Sequence, residues 1–173
     1  MADLLTFTSS SIYCTAANVH IDPWKPVDFA IITHAHSDHA KPGCKHYLAH
    51  KHSESILKLR LGENISLQTV EYGEKFSING VQFSLHPAGH VIGSAQIRVE
   101  YKGEVWVASG DYKVQDDHFS AAFEPVKCHT FITESTFGLP IYKWRPQHEV
   151  MTDIREWWKE NQILGKASVL MGY

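Results

Sequence analysis

The octapeptide Thr33–Ala40, THAHSDHA, sets three histidines and an aspartate within six consecutive positions. Imidazoles crowded this closely repel one another once charged, so the pattern asks for something that keeps them neutral. A metal ion does so, because neutral imidazole and carboxylate are ligands for Zn²⁺. DFAIIT, which precedes the octapeptide, is an apolar run with the look of a buried strand. At a strand end, side chains i and i+2 point the same way, so His34 and His36 can grip one ion. Asp38 and His39 come where the chain must turn, which directs them towards a second ion. Two further ligands follow from context. His90 lies in HPAGHVIGSAQI, after the strand-like VQFSLH, with Gly89 and Gly93 permitting a tight backbone course. Asp111 lies in SGDY, directly after EVWVAS. Alone, a Gly-His or Gly-Asp pair reads equally well as a turn; following the HxHxDH pattern in this order, each reads as a ligand. A solvated histidine-rich loop is the alternative.

The elements that must position these residues are mostly strands. LLTF, SIYC, DFAIIT, HYLA, ISLQTVEY, KFSI, VQFSLH, AQIRVEY, EVWVAS and HTFITE are short, rich in β-branched and aromatic residues, and separated by turn residues. Asn79-Gly80 and Lys102-Gly103 mark hairpins. Helix is expected in two places. SESILKLRL begins with a Ser cap at Ser53 and carries Ile56, Leu57 and Leu59; PQHEVMTDIREWWKENQ has Pro146 in its first turn and a stripe from Val150 to Trp158. Trp157 and Trp158 are expected to be core anchors. The final run KASVLMGY is strand-like and apolar, which suggests the first part of a longer protein.

The whole-chain numbers set the class. With 173 residues, 43% apolar and 20% charged, the chain is long enough for one domain with a sizeable core. A net charge of -3 gives no basic signature for a nucleic-acid partner. Cys14, Cys44 and Cys128 are odd in number and lack a CxxC pair, so they read as reduced, buried small residues of an intracellular protein. Neither a secretory signal nor an apolar run of the roughly 18 residues needed to span a bilayer is visible; a cytoplasmic location is expected.

HAHSDH, AGHVIGSA, SGD and TEST, in this order, resemble the metallo-β-lactamase superfamily, specifically its β-CASP nuclease branch. IDPW, THAHSDHA, HPAGHVIGSAQ, ASGDYK and TESTFGLPIYKW are similar to the bacterial ligase-associated DNA exonucleases, a group also described as mRNA 3′-end processing factors. The resemblance implies an α/β fold: the N-terminal part of an αββα sandwich over residues 1–138, with a β-CASP cap beginning at 139–173. It implies one zinc held by His34, His36 and His90, a second held by Asp38 and His39, and Asp111 bridging both, with Mn²⁺ an alternative metal. Glu134 of TEST then orients a ligating histidine. Asp38 accepts a hydrogen bond from the attacking water. The implied activity is metal-dependent phosphodiester hydrolysis, on DNA ends in repair or, alternatively, on RNA. A small-molecule hydrolase and a catalytically silent subunit are the remaining readings. A DNA ligase and a helicase are the implied protein partners.

Family members complete the second zinc with a downstream histidine. Only His118, His129 and His148 follow Asp111 here, none in a matching context, so that site is expected to be incomplete. Lys113, two residues after Asp111, and Lys41, within the basic stretch to Arg60, are candidate phosphate contacts. His86 is either a partner of the ligand loop or a satisfied strand-end histidine; Tyr142 and Trp144 either stack on a base or pack beneath a cap.

Overall fold

The computed structural model describes residues 3–171. The chain forms two compact units, Met1–Glu134 and Ser135–Tyr173.

The first unit is a sandwich of two sheets. Strands β1 (Thr6–Phe7), β2 (Ile12–Cys14), β3 (Val19–Ile21), β4 (Phe29–Ile31), β5 (His46–His50) and β6 (Leu67–Val70) lie in chain order in the first sheet. It is antiparallel from β1 to β3 and parallel from β3 to β6. The second sheet runs β11 (Thr130–Ile132), β10 (Glu104–Ala108), β9 (Ala95–Tyr101), β8 (Val81–Pro87), β7 (Lys75–Ile78), antiparallel but for the β10–β11 pair. Both expected hairpins form. Asn79 and Gly80, and likewise Lys102 and Gly103, all have positive φ, the mirror-image turn whose twist matches that of the strands it joins.

Alternation along the strands makes the core. Val19, Ile21, Ile31 and Leu48 of the first sheet meet Val81, Phe83, Leu85, Ile97 and Val99 of the second. The opposite face of the first sheet, through Ala30, Tyr47 and Ala49, packs on Leu57 of α1 (Glu54–Leu61). The α/β layering implied by the resemblance is thus present, with α1 covering one sheet. Of the apolar residues expected to line α1, only Leu57 is buried; Ile56 and Leu59 are exposed. Ser53 stands at the cap position, but its hydroxyl makes no capping bond and donates instead to the Gly93 carbonyl at 3.0 Å. The strand missing from the sequence reading is β3, whose three residues are too few to show alternation.

The second unit contains α2 (Gln147–Ile163), with Pro146 at its cap position. Arg145 Nη1 ties the helix start to Asp153 at 2.6 Å. Tyr142 and Trp144 both pack edge-on against Phe137, with ring centroids 5.1 and 5.0 Å away. Two expectations are corrected here. Trp157 and Trp158 are exposed rather than core anchors, and α2 buries none of its residues. Residues 166–171 form no strand; among the described residues they have no ladder partner.

Candidate metal centre

The suspected ligands follow the C-terminal ends of strands, His34, His36, Asp38 and His39 after β4, His90 after β8 and Asp111 after β10, and the suspected orienting residue Glu134 follows β11. The backbone N–H of Ala95 donates to the Thr33 carbonyl at 2.8 Å, joining the two sheets beside the octapeptide. Gly110 is needed at this junction. Its φ is +56°, and a Cβ there would stand 2.6 Å from the Thr33 side chain, so no other residue lets Asp111 approach this closely.

His34, His36, His90 and Asp111 converge, with one potential ligand atom from each within 4.8 Å of the others. His34 Nε2 lies 2.9 Å from His36 Nδ1, and His90 Nε2 lies 3.3 Å from the same atom. Asp111 Oδ2 is 3.8 Å from His34 Nε2 and 3.7 Å from His90 Nε2. Ligands at about 2.0–2.1 Å in a tetrahedron stand roughly 3.3 Å apart, so the donor set and its spacing fit one zinc-sized ion. Burial, then the neighbouring His39, pushes the His34 pKa down to about 2. His34 is therefore held as the neutral imidazole that coordination needs.

The other flank is built differently. His39 Nε2 lies 3.3 Å from Asp111 Oδ1 and 3.6 Å from Asp38 Oδ2. Asp111 thus shows one oxygen to each side. Asp38 is 76% exposed. Burial lowers the His39 pKa, but hydrogen bonds and charges from Asp111 and Asp22 outweigh it and raise the value to about 10. Asp111 is correspondingly lowered to about 2, first by the His39 hydrogen bond, against the opposing effect of burial.

Asp22, in the stretch IDPW after β3, is a site residue the sequence reading did not single out. At a φ of 42°, its Oδ1 accepts the Thr33 N–H at 2.8 Å, while Oδ2 accepts the Thr33 hydroxyl at 2.5 Å. The same Oδ2 lies 2.7 Å from His39 Nδ1. It therefore fixes both the octapeptide backbone and the ring that points Nε2 at Asp111. Its sequence signal is an Asp-Pro pair after a short run, inside the IDPW stretch that shares the family resemblance.

The remaining residues sort as follows. Burial lowers the His90 pKa against the opposing charge of Asp111, to which the Glu134 charge adds the smallest influence. Lys113 Nζ faces Asp117 at 3.6 Å, on its own loop. Lys41 contributes its carbonyl, which accepts the buried Tyr47 hydroxyl at 2.8 Å. His86 is satisfied by Glu124 and Ser84, each at 3.0 Å. His118 and His129 are surface residues beside Asp116 and Glu104. An open groove borders the His90 loop at Ile92 and runs past Lys51, Lys58 and Phe119. Lys58 pairs with Glu54 at 2.6 Å and Lys51 with Glu71, so the groove carries little net charge.

No family model matches the chain. Among individual proteins, it is 27% identical over 168 residues to "Probable DNA ligase" of Opitutus terrae, covering 95% of this chain and 16% of that protein. It is 35% identical over 85 residues to cleavage and polyadenylation specificity factor 73 of Drosophila melanogaster, covering 48% of this chain and 12% of the relative. Endoribonuclease YSH1 of Saccharomyces cerevisiae is 34% identical over 85 residues, with 48% and 11% covered. The chain thus spans less than a fifth of the length of each of these relatives. These homologues match the metallo-β-lactamase superfamily and the β-CASP nucleases that the motifs resemble.

Proposed function

We propose that this chain supplies the metal-binding part of a β-CASP metallo-β-lactamase nuclease that hydrolyses phosphodiester bonds at DNA ends. One observation carries the reading: His34, His36, His90 and Asp111 converge at zinc spacing in a chain with nuclease homologues. His34, His36, His90 and Asp111 would hold one ion, and Asp38, His39 and Asp111 would supply an incomplete second site. Two such ions lower the pKa of water to about 7 and neutralise charge on a phosphodiester.

The chain's own residues do the rest. Asp111 divides its two oxygens between the flanks and fixes their separation. Asp38, open to solvent beside His39, accepts the hydrogen bond of the attacking water. Asp22 keeps His39 turned inward, and Glu134 steadies the electrostatics of His90. Lys113 and Lys41 are the candidates for phosphate contact. A cap beginning at residue 139, zinc or manganese as the native metal, a DNA ligase and a helicase as partners, and a cytoplasmic setting complete the proposal. Among the described residues no helix is long and apolar enough to cross a membrane.

DNA is favoured by the extent of the match to "Probable DNA ligase", which covers nearly the whole chain. RNA is the second reading, favoured by the higher identity to endoribonuclease YSH1 over a shorter stretch. The test is to incubate the protein, in its longest native form, with end-labelled single- and double-stranded DNA and RNA plus zinc or manganese. Cleavage of DNA that His36→Ala abolishes is the expected result. RNA-only cleavage selects the second reading, and cleavage unchanged in His36→Ala rejects the site.

A further inference from the structure

His90 is the one histidine of the four-donor cluster that lies outside the octapeptide, and its loop, residues 88–94, has no regular secondary structure. Inside the loop, the Ser94 hydroxyl accepts the N–H groups of His90 and Val91 at 3.1 and 3.2 Å. Those bonds set its local curl without fixing where the curl sits. The Lys113 N–H, which donates to the Ala88 carbonyl at 2.9 Å, anchors the loop's start, and two side chains, Ser53 and Tyr72, hold its far end. The Ser53 hydroxyl donates to the Gly93 carbonyl at 3.0 Å, and the Tyr72 hydroxyl donates to the Ser94 carbonyl at 2.8 Å.

Gly93 shows how close this approach is. With φ at +80°, a Cβ on it would lie 2.3 Å from Ser53 Oγ and 2.7 Å from Ser53 N. Tyr72 is itself held on two sides. Its backbone bridges to Leu85 of β8, and its ring lies flat on His50, with centroids 3.5 Å apart and planes 12° apart. His50 is fully buried at the end of β5, and burial, then His52, pushes its pKa down to about 4. An uncharged ring is therefore what stacks on Tyr72 at neutral pH.

We infer that Ser53 and Tyr72 are positioning residues for the metal centre: by gripping consecutive carbonyls of the His90 loop, they set His90 Nε2 opposite His36 Nδ1. Neither touches a ligand atom. They act through the backbone, and the inference rests on the reading of the cluster as a metal site. A partner that orients a ligand typically changes metal affinity 10- to 100-fold when removed. These two act one step further out. Each single variant is expected to weaken binding about threefold to tenfold, and the pair about tenfold or more.

The experiment titrates metal-free wild type, Ser53→Ala, Tyr72→Phe and the double variant with Zn²⁺ and, for its visible spectrum, Co²⁺. Tyr13→Phe, which loses a hydroxyl bonded to Asn18 far along the first sheet, serves as the control. The inference is supported if the double variant binds zinc at least several-fold more weakly, with altered Co²⁺ bands, while Tyr13→Phe matches wild type. It is overturned if affinity and Co²⁺ spectrum are unchanged, even where thermal stability falls. Circular dichroism of the metal-free forms checks folding, and Ser53→Ala alone decides if the double variant does not fold. Wild type that binds neither metal overturns the metal reading itself, a result distinct from wild-type binding that the variants leave unchanged.

Discussion

The two flanks of the Asp111 carboxylate are built on opposite principles. On one side His34 is sealed from solvent and uncharged, and the His90 loop is gripped by Ser53 and Tyr72. On the other, His39 is held charged between two carboxylates, and Asp38 stands mostly in solvent. The first flank is preorganised by packing, so little is left to rearrange when an ion arrives. The second depends on charge, and a cation entering it must displace the His39 Nε2 proton that now faces Asp111, while the Nδ1 proton stays on Asp22. Rigid positioning and electrostatic holding thus share one bridging residue.

The contrast can be broken from the packed side first. Gly93→Ala forces a Cβ against the Ser53 backbone at a φ unsuited to it. It should cost about 2–4 kcal/mol in urea unfolding and weaken the first zinc equivalent together with its Co²⁺ spectrum. Unchanged unfolding would mean that the loop is free to shift. Asp22→Asn strikes the other side. It removes the charge that orients His39, and should weaken the second equivalent about tenfold in calorimetric titration, with a smaller loss at the first through the Thr33 bonds beside His34. Equal losses at both equivalents would erase the distinction between the flanks.

The smallest effect is in pH. In metal-free protein, His39 has a folded-state pKa raised above its unfolded value near 6.5, to about 10. Its contribution to stability is present in full below about pH 6.5 and is lost as pH rises through about 10. Thermal melts in chelator should fall across that window, and fall less in Asp22→Asn. Histidine NMR should show His39 charged at pH 8 while His34 stays neutral, and both rings neutral at that pH would contradict the comparison.

How much of this is legible in the sequence depends on distance along the chain. His34, His36, Asp38 and His39 declare themselves because one strand end carries them all. His90 and Asp111 need their flanking strands and the motif order to be believed. Asp22 escapes notice because an acid before proline is an ordinary turn residue, and its bond to His39 spans 17 positions. Ser53 and Tyr72 are harder still. They reach Gly93 and Ser94 across 40 and 22 positions, and a serine at a helix start is naturally read as a cap. Trp157 and Trp158 show the opposite error: large aromatics on a helical stripe suggest burial, yet α2 buries none of its residues here.

The four clustered donors come from positions 34, 36, 90 and 111, on connections of both sheets. Closing such long loops is entropically costly, and non-local pairing is slow. A local motif such as a zinc finger can let the ion nucleate its fold; here the coordination set exists only after β4, β8 and β10 have found their places. An ion bound to this cluster would therefore act as a late lock, slowing unfolding far more than it speeds folding.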